Sequence, residues 1–305
     1  MKNNNADVAV SVEPKAKTRK KRSPAGEIWW RFRKSPSAMI GLVVVVFMVL
    51  IALLADVIAP RVGMNPAYDV QDLNNRFHPP SLEHLMGTDD LGRDMLARVV
   101  HGSRTSLSIA VLTVTASMTV GSLLGLIAGY FGRFADNIIM RFVDVILSIP
   151  AVLLAISISA ALEPGFRTII IAIGVGAVPI YARVMRASVL SIREQEFIEA
   201  ARSIGASNFR IIFRHILPNC MAPIIVQATM GIGYAILWAA ALGFFGLGIQ
   251  PPTPEWGTML AGARQHIRDH WHMVFFPGLS IAMIIIALNM MGDGLRDAFD
   301  PRLKR

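Results

Sequence analysis

The sequence predicts an all-α, polytopic membrane bundle with six transmembrane helices and both termini cytoplasmic. Two observations carry this. The 305 residues are 53% apolar and 17% charged, against about 25% charged in a typical soluble domain. Several apolar runs also reach the ~20 residues needed to cross a hydrocarbon core about 30 Å thick. The sidedness of the charge supplies the orientation. Of 30 Lys and Arg residues, 22 fall in the segments placed inside by six crossings, and eight in those placed outside, as the positive-inside bias requires.

The predicted spans are 38–59, 106–130, 138–162, 168–185, 221–247 and 275–291. The first lies too far inside the chain, and is too long, for a cleaved signal peptide. Before it, residues 1–37 form a basic cytoplasmic tail drawn to anionic headgroups, ending in an interfacial anchor at Trp29 and Trp30. Residues 60–103 form an external cap rich in proline and acids. Residues 104–293 form the transmembrane core, with an inner loop over 190–219, and residues 294–305 form a cytoplasmic tail. One cysteine, Cys220, excludes an intrachain disulfide. The net charge of +9 is read as membrane sidedness, so no nucleic-acid partner is expected; membrane lipid is.

Within the cap, Asp89, Asp90, Arg93 and Asp94 do not match a calcium-loop spacing and read as local ion pairs and helix caps. In the second span, Gly121, Gly125 and Gly129 recur every four residues and open one helix face to close packing. In the third, Asp144 is an intramembrane acid and so a candidate path or gate residue. Arg141, one turn away, is its nearest candidate ion-pair partner and shares the candidate path or gate role. Pro150, Pro179, Gly174 and Gly176 predict kinks. "PPTPEWGTML" reads as a proline-stiffened outer turn, and Gly292 and Gly294 are expected to break the last span. His266, His270 and His272 form an H-x3-H-x-H pattern, read as interfacial histidine; no metal site is assigned.

The inner loop carries the most information. Phe197, Ile198, Ala201 and Ile204 share one helical face, and Gly205 ends that helix. Ser207 or Asn208 caps a second, with Phe209, Ile212, Phe213 and Ile216 as its stripe and Pro218 as its stop. The small Ala200 and Ala201 leave room for a partner.

"EAARSIG" followed by "LP" resembles the EAA loop of membrane subunits of binding-protein-dependent ABC importers. Glu199, Ala200, Ala201, Gly205, Leu217 and Pro218 fall in its register, while its isoleucine slot holds His215, with Ile216 beside it. The likeness runs from about Met39 to Leu303 through "LMGTDDLGRD", "GLIAGYFG", "IIMRFVDVILSIP" and "FPGLSIAMIIIALNMMGDGLRDAFDP", and is similar to the C-type subunit of dipeptide and oligopeptide permeases.

The resemblance implies a non-catalytic subunit that pairs with a second permease subunit to enclose a path. It implies two cytoplasmic ATP-binding subunits docked on Glu199, Ala200, Ala201, Gly205, Phe209, Leu217 and Pro218. An external solute-binding protein delivers dipeptides, oligopeptides, glutathione or nickel, in a bacterial inner membrane. No cofactor is expected on this chain; ATP and Mg belong to the partners. Consistent with that, no G-x-x-x-x-G-K-[ST] occurs. The rival classes are a secondary transporter, supported only by Asp144, and an intramembrane enzyme, for which H-E-x-x-H and G-x-S-x-G are both absent.

Overall fold

A computed structural model describes residues 24–59 and 66–300, and every regular element among them is helical. The basic tail up to residue 23 and the last five residues lie outside the described residues. The helices are α1 (Pro24–Phe32), α2 (Pro36–Leu53), α3 (Ala55–Ile58), α4 (Met95–Phe131), α5 (Arg133–Ser148), α6 (Ala151–Ala161), α7 (Phe166–Arg193), α8 (Glu196–Ser203), α9 (Asn208–Arg210), α10 (Leu217–Phe244), α11 (Trp256–Ala263) and α12 (His272–Phe299). Five runs are long and apolar enough to span a bilayer: α2, α4, α7, Asn208–Phe244 and α12. The pair α5 and α6, bent by 88°, counts as a sixth if it forms one broken span.

The backbone contacts fix the directions. Along α4 the glycines 121, 125 and 129 meet Val178, Ala182 and Val189 of α7 in that order, so α4 and α7 run parallel. A Cβ on Gly121 would stand 2.5 Å from the Val178 carbonyl oxygen, and one on Gly129 2.8 Å from the Val189 Cβ. On Gly125 it would overlap the Ala182 carbonyl oxygen. These absent side chains let two backbones touch, the geometry of small-residue helix packing. α12 runs antiparallel to α2, with Gly41 against Ala287 and Met291, and Gly294 against Ala38. α1 and the end of α12 meet at the same end of the bundle as the α7–α10 loop, where Arg31 Nη1 donates to the Asp300 carbonyl at 3.2 Å.

The kink expected at Pro150 is a full break: Pro150 has no N–H to continue α5, and α5 and α6 are bent by 88°. Three expectations are corrected. The last span is not broken at Gly292 and Gly294; α12 continues to Phe299, and the two glycines serve close packing against Met230 and Ala38. The first span ends at Leu53 and turns into α3. Pro218 does not stop a helix either. Residues 211–216 form a π turn in which the Leu217 N–H bonds the Ile212 carbonyl, and Pro218 then occupies the first turn of α10, where a missing N–H costs nothing.

The opposite end carries the cap. Asp94 caps α4 by accepting from the Ala97 N–H at 2.9 Å. Asp89 accepts from the backbone N–H groups of Leu91 and Arg93 and pairs with Arg93 at 2.7 Å and Arg98 at 3.4 Å. Beneath it, Trp256 is fully buried and donates Nε1–H to the Val99 carbonyl. Glu255, 1% exposed, caps α11 by accepting from Gly257 and Thr258 N–H and from the Ser106 hydroxyl. Burial pushes its carboxyl pKa up, against the lowering pull of those donors.

Candidate functional site

The loop between α7 and α10 divides into an inner and an outer face. Ile198 and Ala201 of α8 join Ile211, Ile216, Cys220 and Ile224 in a core that also holds Leu126 and Tyr130 of α4 and Met185 and Val189 of α7. The outer face is apolar too. Ile204 is 85% exposed, Phe209 72% and Phe213 49%, and the Phe209 and Phe213 rings lie 4.4 Å apart. Exposed clusters of this kind at one end of a helical bundle mark interaction surfaces.

The sequence pattern misassigned these faces. Ile204 and Phe197 share the predicted stripe with Ile198 and Ala201, yet both point out. In the second helix the stripe through Phe209, Ile212, Phe213 and Ile216 is replaced by Ile211 and Ile216, five residues apart, because the i→i+5 bonding of the π turn widens the helix. Glu199 and Ala200 face outward, Ala201 inward, Leu217 is half-buried and Pro218 exposed.

Gly205, at φ +78°, supplies the bend between α8 and α9, with its N–H on the Arg202 carbonyl and no atom within 4 Å of where a Cβ would stand. Ser207 caps α9 through the Arg210 N–H at 3.4 Å. The bent pair is fastened to the transmembrane helices by polar bonds that the sequence did not announce. Tyr130 Oη donates to Asn208 Oδ1 at 2.6 Å, and beside it Arg193, the last residue of α7, ties α7 to α4 by donating from Nη1 to the carbonyls of Gly129 and Tyr130 at 2.9 and 3.3 Å. The Arg202 guanidinium lies 5.9 Å from the Tyr130 ring.

Asp144 does not pair with Arg141. Its partner is Arg183 of α7 at 2.7 Å, while Arg141 is exposed and makes no bond among the described residues. Three residues on a helix leave the side chains about 60° apart in azimuth, and Arg183 comes from the helix that α5 packs on. A second bridge, Asp136 with Arg186 at 2.5 and 2.7 Å, pins the start of α5 to α7. His266 and His270 flank the Phe77 ring, with centroids 4.7 and 4.3 Å away, and His272 bonds the Thr88 carbonyl. No grouping of three or more metal-ligating side chains occurs among the described residues.

Comparison with known proteins decides the class. A family model described as the binding-protein-dependent transport system inner membrane component matches residues 121–305. The chain belongs to that family. A second model, for the N-terminal transmembrane domain of oligopeptide transport permease C, matches residues 23–80 of this permease subunit. It is 48% identical to a dipeptide transport system permease protein of Alkalihalophilus pseudofirmus, over 92% of this chain and 91% of that one. A di/tripeptide transport system permease protein of Pseudomonas aeruginosa is 46% identical, covering 92% and 93%. A glutathione transport system permease protein of Escherichia coli is 43% identical, covering 97% and 96%. The inward-facing MetNI methionine ABC transporter shares the fold, with a TM-score of 0.56 at 20% identity over 68% of this chain and 98% of that one. The protein is thus a transport permease subunit of the bacterial inner membrane and not an enzyme.

Proposed function

We propose that this permease subunit pairs with a second permease subunit and imports di- or oligopeptides delivered by an external solute-binding protein. Two cytoplasmic ATP-binding subunits, carrying ATP and Mg, supply the work. The reading rests above all on the outer face of the α7–α10 loop: Ile204, Phe209 and Phe213 are apolar, exposed and adjacent to Glu199, Ala200 and Gly205 in EAA register. Such a face calls for a protein partner. The buried face beneath it makes the loop one body with α4, α7 and α10, so a displacement imposed on the loop reaches the spans. This end faces the cytoplasm, on the charge count above.

The peptide substrate is supported by the names of the relatives at 48% and 46% identity; the glutathione relative at 43% keeps a γ-glutamyl tripeptide as the second reading. The test is uptake in cells lacking the chromosomal copy. Expression of the chain restores import of a labelled dipeptide and brings ATP-binding subunits through purification; restored glutathione uptake alone favours the second reading. Replacing Gly205 with Glu leaves membrane insertion intact and weakens both. Unchanged uptake and unchanged co-purification in that variant overturn the assignment of the loop.

A further inference from the structure

A cavity of about 210 Å³ opens between α4, α6, α7 and α10. It exists because the residues facing one another there are small. Ala155 of α6 lies opposite Ala172 and Gly176 of α7, and a Cβ on Gly176 would find its nearest neighbour, Leu154 Cδ2, only at 4.0 Å. Gly176 is therefore unlike Gly125, whose missing side chain brings two backbones together. It leaves space.

Four uncharged side chains with a hydroxyl or a carboxamide line that space at membrane depth: Thr113, Tyr181, Gln227 and, on its exposed side, Tyr234. Thr113 is fully buried, and its hydroxyl has no hydrogen-bond partner among the described residues. The Tyr181 side chain is 2% exposed, with its hydroxyl against the Cα side of Gly231, and neither it nor the Gln227 amide is hydrogen-bonded among the described residues. A buried polar group without a partner is destabilising, most of all in hydrocarbon, and persists where something else completes it. No Asp, Glu, Lys, Arg or His lines the cavity, so neither a cation nor a phosphate is matched. Hydroxyls and a carboxamide match the N–H and C=O of a peptide bond, and the remaining wall, including Trp238, is aliphatic or aromatic. The volume lies below the ~300–1,000 Å³ of pockets for whole small molecules, which suits one side chain.

We infer that this cavity is a side-chain subsite on the transport path. It takes an apolar side chain of a peptide in transit while Thr113, Tyr181 and Gln227 bond the adjoining amide. The inference rests on the peptide reading above and adds to it that this subunit itself selects cargo.

The experiment compares initial uptake of labelled alanyl-phenylalanine and alanyl-glycine in cells whose chromosomal copy is replaced by Gly176→Leu, Ala155→Val or Thr113→Val, with membrane levels measured by immunoblot. The two filling variants lower alanyl-phenylalanine uptake at least fivefold per molecule in the membrane and alanyl-glycine uptake less than twofold. Thr113→Val lowers both about threefold at unchanged level, because it removes the amide contact and keeps the shape. If Gly176→Leu fails to reach the membrane, Ala155→Val gives the same reading from the opposite wall. Equal loss of both substrates in the filling variants, or no loss in any variant, overturns the subsite; water filling alone gives the second result. If the unaltered chain moves neither dipeptide above the deletion background, the peptide reading itself fails, and the subsite with it.

Discussion

The Tyr130 hydroxyl bonds the Asn208 side-chain oxygen at 2.6 Å, joining the last turn of α4 to the first residue of α9. A single hydrogen bond of this kind contributes about 1 kcal/mol. Tyr130→Phe keeps the ring and the Arg202 contact, so the thermal midpoint of the purified protein drops by a few degrees at most. Uptake falls further, about two- to fivefold, because the bond lies between the loop and the spans it moves. Equal uptake in variant and wild type would show that the apolar core under the loop transmits the motion alone.

Phe209 and Phe213 contribute little to folding, being 72% and 49% exposed. The double replacement by Ala changes unfolding free energy by no more than about 0.5 kcal/mol. Recovery of ATP-binding subunits on affinity purification drops at least tenfold. A variant that unfolds early but still co-purifies would reverse this division of labour.

Gly125 has the opposite character. A Cβ there overlaps the Ala182 carbonyl and stands 2.9 Å from the Met185 Cβ, and neither backbone can move without parting α4 from α7. Gly125→Val costs at least the ~1–3 kcal/mol of an overpacked core. Its measure is the amount of chain in the membrane, which falls severalfold, whereas Gly262→Ala, with nothing within 4 Å, leaves that amount unchanged.

Glu255 gives stability a pH dependence. Its folded pKa is raised by burial, so the folded state holds the proton more tightly than the unfolded chain does. The protonated contribution is complete below the unfolded carboxylate pKa of about 4.3 and is lost as pH rises through the raised folded value. The thermal midpoint in detergent therefore slopes downward from about pH 4.3 upward, and Glu255→Gln flattens that slope.

Much of this was legible in the chain. Span number follows from hydropathy, because a bilayer demands long apolar helices, and the loop's register from its EAA residues. The failures share a cause. Asp144 and Arg183 are 39 positions apart and Tyr130 and Asn208 are 78 apart, and helical periodicity speaks only of neighbours within two turns. The stripe through Phe209 and Ile212 assumed 3.6 residues per turn, whereas residues 211–216 close through i→i+5 bonds. Pro218 reads as a terminator because its position relative to that turn is invisible in the pattern. Glu255 left one trace, a lone acid before Trp-Gly at a helix start.

The glycine seam also sets a mechanical ratio. α7 has 28 residues, a rod about 42 Å long, clamped in step with a neighbour of the same polarity that shares its loop-end anchorage. Rocked by about 5° around one tip, such a rod carries its other tip through about 3.7 Å, roughly the thickness of a flat amide. A push of modest angle beneath the loop is thereby converted, without bending either rod, into a gap wide enough to matter at the far mouth.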